Sequence, residues 1–165
     1  MRRMRTSLAA CAIAAISSAS LIMPGISMTS AMAAAPDCQF GNGYGLLVDS
    51  DPVYSPPDTT TRSIGRIQLC RDSDYQYWGF ILLNNSPTAS QYGDAEIGRY
   101  RDGNFESFVN CDSVGGNGVV VSGQRRCWTP KFTGVSGRYT FMAYGSLWSS
   151  HTGNKLADGT TARTR

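Results

Sequence analysis

Histidine is almost missing from this chain: His151 is the only one among 165 residues. Nucleophilic hydrolysis needs a base within reach of a serine or cysteine, so one imidazole must serve any such site. Ser149 and Ser150 precede it, but no G-x-S-x-G elbow is present, and Gly134-Val-Ser136-Gly137 has the wrong spacing for one. Cysteine pairs of the C-x2-C type are also absent, which with a single histidine argues against structural zinc. No glycine-rich run joins a strand pattern to a helix pattern, as a dinucleotide loop requires. Gly115-Gly116-Asn117-Gly118 leads into Val119-Val120-Val121, and it reads as a turn, as does Gly41-Asn42-Gly43-Tyr44-Gly45. Asp49-x-Asp51 and Asp72-x-Asp74 lack the further ligands of a calcium loop. Asp72, Asp74 and Asp102 read as turn residues instead. The expectation is no catalytic residue, no metal and no cofactor.

What is present begins with an export signal. Arg2, Arg3 and Arg5 precede apolar stretches at Leu8–Ile16 and Leu21–Ile26, and Ala31-Met32-Ala33 is an A-x-A cleavage signature. The cut is placed after Ala33, with Ala35 as an alternative, so residues 1–33 form the signal peptide. A membrane anchor needs about twenty unbroken apolar residues, whereas Ser17, Ser18, Ser20, Pro24 and Gly25 interrupt this segment.

Cleavage changes the charge. The whole chain carries +3, and the three arginines of the signal supply all of it, leaving twelve basic and twelve acidic side chains. No long-range field remains to attract a polyanion, so neither nucleic acid nor a membrane surface is expected as a partner. Cleavage also removes Cys11 and leaves Cys38, Cys70, Cys111 and Cys127, an even set in a small exported chain, which reads as two disulfides. Three pairings are possible. Cys38–Cys70 with Cys111–Cys127 is favoured, because each closes a local loop within a β-meander.

No long helical pattern follows the signal. Short runs rich in β-branched and aromatic residues alternate with Gly, Asn, Asp, Ser and Pro clusters, predicting about eight strands in one antiparallel sandwich or barrel over residues 34–150. Ile67-x-x-Cys70-Arg-Asp-x-x-Tyr75-x-x-Trp78 is echoed by Ile97-x-x-Tyr100-Arg-Asp-x-x-Phe105-x-x-Phe108. Counting outward from a two-residue Asp102-Gly103 turn pairs Tyr100 with Phe105, Arg99 with Glu106 and Ile97 with Phe108. The same register pairs Cys70 with Tyr75 and Ile67 with Trp78. Further strands are expected near Gly45–Asp49, Val119–Ser122, Arg126–Phe132 and Tyr139–Tyr144. Ser50–Thr61, holding three prolines, and Asn84–Gly93 are expected as long loops, and residues 151–165 as a flexible tail.

The run Cys70-Arg-Asp-x-x-Tyr-x-Tyr-Trp78, with Cys127-Trp-Thr-Pro130 and Gly137-Arg-Tyr-Thr-Phe-Met-Ala-Tyr144, resembles small exported proteins of Streptomyces-type actinobacteria. That resemblance implies export and lends no catalytic residue.

Seventeen aromatics exceed what one small core needs. Trp78 and Trp128 fall on strands and read as core, whereas Tyr44, Tyr54, Tyr92 and Trp148 lie in or beside loops and are the candidate ligand-binding residues. The leading expectation is therefore a secreted, monomeric, non-enzymatic β domain binding an extracellular protein or glycan. The alternatives are a small hydrolase of glycan, RNA or peptide using Asp94, Glu96 or His151, and a protease inhibitor offering the Ser50–Thr61 loop.

Overall fold

The computed structural model describes residues 37–135 and 137–165. The signal peptide and its cleavage site lie outside the described residues. Eleven strands follow in chain order among them: β1 Gln39–Phe40, β2 Gly43–Tyr44, β3 Leu46–Ser55, β4 Arg62–Arg71, β5 Gln76–Leu83, β6 Tyr92–Arg101, β7 Asn104–Asn110, β8 Arg126–Trp128, β9 Phe132–Thr133, β10 Tyr139–Trp148 and β11 Lys155–Thr160. β1 and β2 form a small hairpin. The other nine form one antiparallel sheet in the order β7-β6-β10-β11-β3-β4-β5-β8, with β9 also on β5.

Alternation along the strands gives the sheet two faces. Val53, Ile67, Leu69, Ile81, Ala95, Ile97, Phe141, Ala143 and Ala157 are fully buried and share one cluster. They can meet only if the sheet curls, so that β5 packs on β6 and β10, which stand far from it in strand order. The result is a half-barrel around one core. Two glycines permit the close approach. A Cβ on Gly145 would lie 2.9 Å from the Ile67 Cβ, and one on Gly79 would lie 3.0 Å from the Glu96 carbonyl oxygen.

A second cluster sits on the outer face of β4 and β5. Cys38, Cys70, Trp78, Phe80 and Leu82 are buried there, with Phe40 and Trp128 packed against them. The β1–β2 hairpin covers this face. The Cys38–Cys70 disulfide and the bond from the Trp78 indole N–H to the Gln39 carbonyl (3.2 Å) fix it in place. The other disulfide is Cys111–Cys127, so both pairs are those favoured by the sequence. Disulfides are consistent with an extracellular or otherwise oxidising location.

Four expectations need correction. First, the two hairpins do not share a register. The Asp102-Gly103 turn has φ of 51° and 88°, and Tyr100 faces Phe105 as expected, but Glu106 is then bulged out. Ile97 therefore faces Val109, and Phe108 faces Gly98 on the outer surface, although Arg99 still reaches Glu106 at 2.6 Å. In the other hairpin Cys70 faces Trp78 and Ile67 faces Ile81. Its connection is longer because the Asp72 carboxylate accepts the N–H groups of Asp74 and Gln76, while Tyr75 takes φ of 56°.

Second, half of the Ser50–Thr61 loop is strand. β3 runs to Ser55 and includes Pro52, leaving residues 56–61 as the connection. Beside Pro52 the register to β11 is sparse, with Tyr54 opposite Asp158 as its paired position, and a residue without an N–H is least costly where a ladder is incomplete. Third, Val119–Ser122 contributes one bridge, Val120 to Gly93, and no strand. Fourth, residues 151–165 are not a flexible tail. Lys155–Thr160 form β11, paired with both β10 and β3, and Ala157 is fully buried. Beyond it Thr164 bridges Phe141, and the Arg163 guanidinium lies 4.7 Å from the Tyr100 ring centre. Small residues placed at core positions gave little hydrophobic signal, which is why the segment reads as a tail.

Candidate functional site

Antiparallel pairing brings alternate strand ends to the same rim of the half-barrel. The ends of β3, β5 and β10 (Ser55, Leu83, Trp148) meet the starts of β4, β6 and β11 (Arg62, Tyr92, Lys155) there. Between them opens a cleft of about 700 Å³. Ile64, Leu83, Leu147 and Leu156 give it an apolar floor, and the first three are continuous with the core. Asn84, Asn85, Gln91 and Asn154 supply amides, and Arg62 and Lys155 supply cations. Barrel mouths with apolar walls and a few convergent polar groups are common ligand sites.

The polar groups of this rim divide into engaged and free. The hydroxyls of Ser55, Ser63 and Ser86 donate to the Leu156, Gly65 and Pro87 carbonyls. Gln91 accepts the Thr88 N–H, and the Asn84 amide donates to the Ser63 carbonyl at 3.4 Å. The Lys155 ammonium donates to Asp158 (2.6 Å) and to the Tyr144 hydroxyl (2.8 Å), and these partners raise its pKa. Burial works against Asp158, but Lys155, the Asp58 N–H and the Tyr144 hydroxyl outweigh it and hold the carboxyl below its ordinary range. No aspartate, glutamate, histidine or cysteine lines the cleft among the described residues. It thus offers binding groups and no general base.

Outside the cleft, on the outer face of β6 and β10, stand several residues singled out by the sequence. Tyr92 and Trp148 face each other across the β6–β10 pair, with ring centres 6.5 Å apart and planes 12° from parallel. His151, in the β10–β11 turn rather than in a tail, stacks on Tyr92 at 4.6 Å. The Trp148 indole N–H donates to the Ser146 hydroxyl (2.8 Å), and Ser146 faces Asp94. Asp94 is buried and accepts the Cys111 N–H (3.2 Å) and the Asn110 amide (3.3 Å). Burial raises its pKa to about 7, the Glu96 charge adds to the rise, and the two donors oppose it. Burial raises Glu96 as well. Asp94 and Glu96 share a face, as alternation requires, but Asp94 is occupied in holding the turn after β7. Asp94, Cys111 and Cys127 also lie together in a group of metal-ligand types. Both cysteines are in a disulfide, which leaves no thiolate to coordinate.

Of the four ligand-binding candidates, Tyr92 and Trp148 come together, and Tyr54 lies on the same outer face, opposite Asp158. Tyr44 is 63% exposed in the β1–β2 hairpin and belongs to neither group. The residues of the mouth itself were missed. Asn85 and Asn154 sit in polar loops, where nothing in a linear pattern distinguishes a rim amide from a solvated one. Two loops closing on one cavity are the signal, but the sequence pattern presents the second half of β3 as loop and β11 as tail.

This chain is similar to the uncharacterized protein YjfA of Bacillus subtilis (strain 168), at 41% identity over 79 residues. The match covers 44% of this chain and 48% of that protein, so the chain spans about half the length of the curated relative it matches. No family model matches, and no solved structure matches.

Proposed function

We propose that this is an exported, non-catalytic binding domain, of the kind secreted by Streptomyces-type actinobacteria, whose glycan ligand enters the mouth of the half-barrel. The observation that carries the reading is the convergence of five strand ends on one cleft with an apolar floor and an amide-rich rim. A pyranose ring has an apolar C–H face and hydroxyls at its edge, so it matches that division. A volume of about 700 Å³ accommodates a short saccharide and not a folded protein surface. The engaged serines and the lack of an acid–base pair in the cleft favour binding over hydrolysis. The signal pattern of residues 1–33 and the two disulfides support a site of action outside the cell.

The test is a backbone NMR titration of the mature chain with neutral and acidic oligosaccharides. Shifts confined to residues 55–64, 83–91 and 147–156 are the expected result. Saturable binding that moves only other surfaces, or no binding by any glycan, would sink the reading.

A further inference from the structure

Resting on the mouth as the glycan site, we propose that the cleft selects an acidic sugar, with the Arg62 guanidinium receiving the sugar carboxylate. The charge inventory of the cleft points to an anion. Its lining contains two cations and no acid among the described residues. Of the two, Lys155 is already matched, since Asp158 lies 2.6 Å from its ammonium. Arg62 is exposed at the start of β4 and has neither an ion pair nor a side-chain hydrogen bond among the described residues. A second guanidinium stands behind the same wall: Arg125 donates to the carbonyl of Asn84, a cleft residue, at 3.3 Å. It too lacks an acidic partner among the described residues. Two guanidiniums without an acidic partner among the described residues therefore stand at this rim, although the mature chain is neutral overall.

The form of the cation and its surroundings narrow the ligand further. A guanidinium presents a planar fork that matches a carboxylate through two parallel hydrogen bonds. The Asn85 and Asn154 side-chain amides line the same cleft without a hydrogen bond among the described residues, so each retains donors and an acceptor for hydroxyl or acetamido groups. Ile64, Leu83, Leu147 and Leu156 lie below as a surface for the apolar face of a ring. A carboxylate beside several hydroxyls on an apolar ring is the chemistry of a hexuronic acid. Such a residue can be presented free or within an acidic polysaccharide.

Matched probes separate these cases. The mature chain is titrated by calorimetry and NMR with galacturonate, with a trigalacturonide and with the methyl ester of each, in which the sugar is kept and the charge removed. The free acids are expected to bind about tenfold or more tighter than the esters, the range of a hydrogen bond to a charged group. R62Q is expected to abolish that preference by bringing the affinity for the acids down to that for the esters, and R125Q to reduce it partly. Arg62 is exposed and has no ion pair among the described residues, so R62Q should keep the wild-type thermal unfolding midpoint, and that control is run alongside. Equal affinity for acids and esters, or an R62Q variant that keeps the preference, overturns the proposal while leaving the mouth as a glycan site. Failure of all four probes to shift cleft residues overturns the proposal and the site together. A trigalacturonide bound far more tightly than galacturonate identifies a polymer as the source; equal affinities identify the free sugar.

Discussion

Cys111 and Cys127 are bonded to each other from opposite ends of one sheet. Cys111 follows β7, the first strand in spatial order, and Cys127 lies in β8, the last. Around the bond, Cys111 donates its N–H to Ala95, Gly93 and Val120 exchange two backbone bonds, and Asn117 donates to Trp128. The segment between the cysteines thus bridges the gap that the nine strands leave open.

Removing that bond should cost more than its loop length implies. In the chain-entropy view, a sequence separation of 16 contributes about 3 kcal/mol, and the separation of 32 at Cys38–Cys70 contributes slightly more. The expectation here is the reverse order, because losing Cys111–Cys127 also frees two sheet edges. Urea unfolding of C111S/C127S and C38S/C70S would show it, the first having the lower midpoint and faster amide exchange in β7 and β8. Unchanged exchange there, with the order given by loop length, would refute the edge-closing role.

Gly145 is expected to tolerate no side chain. Its hypothetical Cβ lies 2.9 Å from Ile67 Cβ and 3.2 Å from Ile81 Cδ1 and Val53 Cγ2, all fully buried. G145A should lose about 1–3 kcal/mol, the usual cost of overpacking. G103A also introduces a Cβ, but into open space, so its cost comes from the turn φ of 88° alone. Thermal unfolding of the pair separates packing from backbone strain, and a G145A midpoint equal to wild type would mean that the two walls are not in contact.

The all-β fold, the disulfide pairs and the Asp102-Gly103 turn were legible because each rests on local chemistry: alternation, cysteine parity, and a dipeptide suited to positive φ. The register of the first hairpin was not, since it depends on one carboxylate, Asp72, gathering two N–H groups around Tyr75. Likewise nothing near Lys155–Thr160 announces a strand, because Ala157 and Gly159 fill narrow spaces and add little hydrophobicity. The mouth was hidden for the same reason. It exists only once β11 is in the sheet, whereas Tyr92 and Trp148 were visible as aromatics wherever they fell.

Truncation tests the place of β11 directly. A chain ending at Ser150 would lose the strand between β10 and β3, expose the core beneath Ala157 and leave two new edges. It is expected to be unfolded or aggregated, with near-ultraviolet circular dichroism lost. A soluble product with the wild-type spectrum and cooperative unfolding would show that β11 is dispensable.

Asp94 gives the domain a pH dependence whose sign can be worked out. Its pKa is raised from 3.8 to about 7 by burial, with Glu96 adding to the effect and the Cys111 N–H and Asn110 amide opposing it. Between those two values the folded chain holds a proton that the unfolded chain has released. Stability from this group is therefore fully present below about pH 4 and is lost as pH rises through about 7. A shift of this size corresponds to at most about 4 kcal/mol. Glu96, also raised by burial, tilts the curve the same way, and Tyr92, raised by burial and by Asp94, does not titrate in this window. D94N keeps an oxygen for the Cys111 N–H and removes the titration. It should be more stable than wild type at pH 8, lose that advantage by pH 5, and retain only the shallower slope from Glu96. Urea unfolding at pH 5, 6.5 and 8 measures this, and parallel curves for the two proteins would show that Asp94 ionises as freely in the folded chain as in the unfolded one.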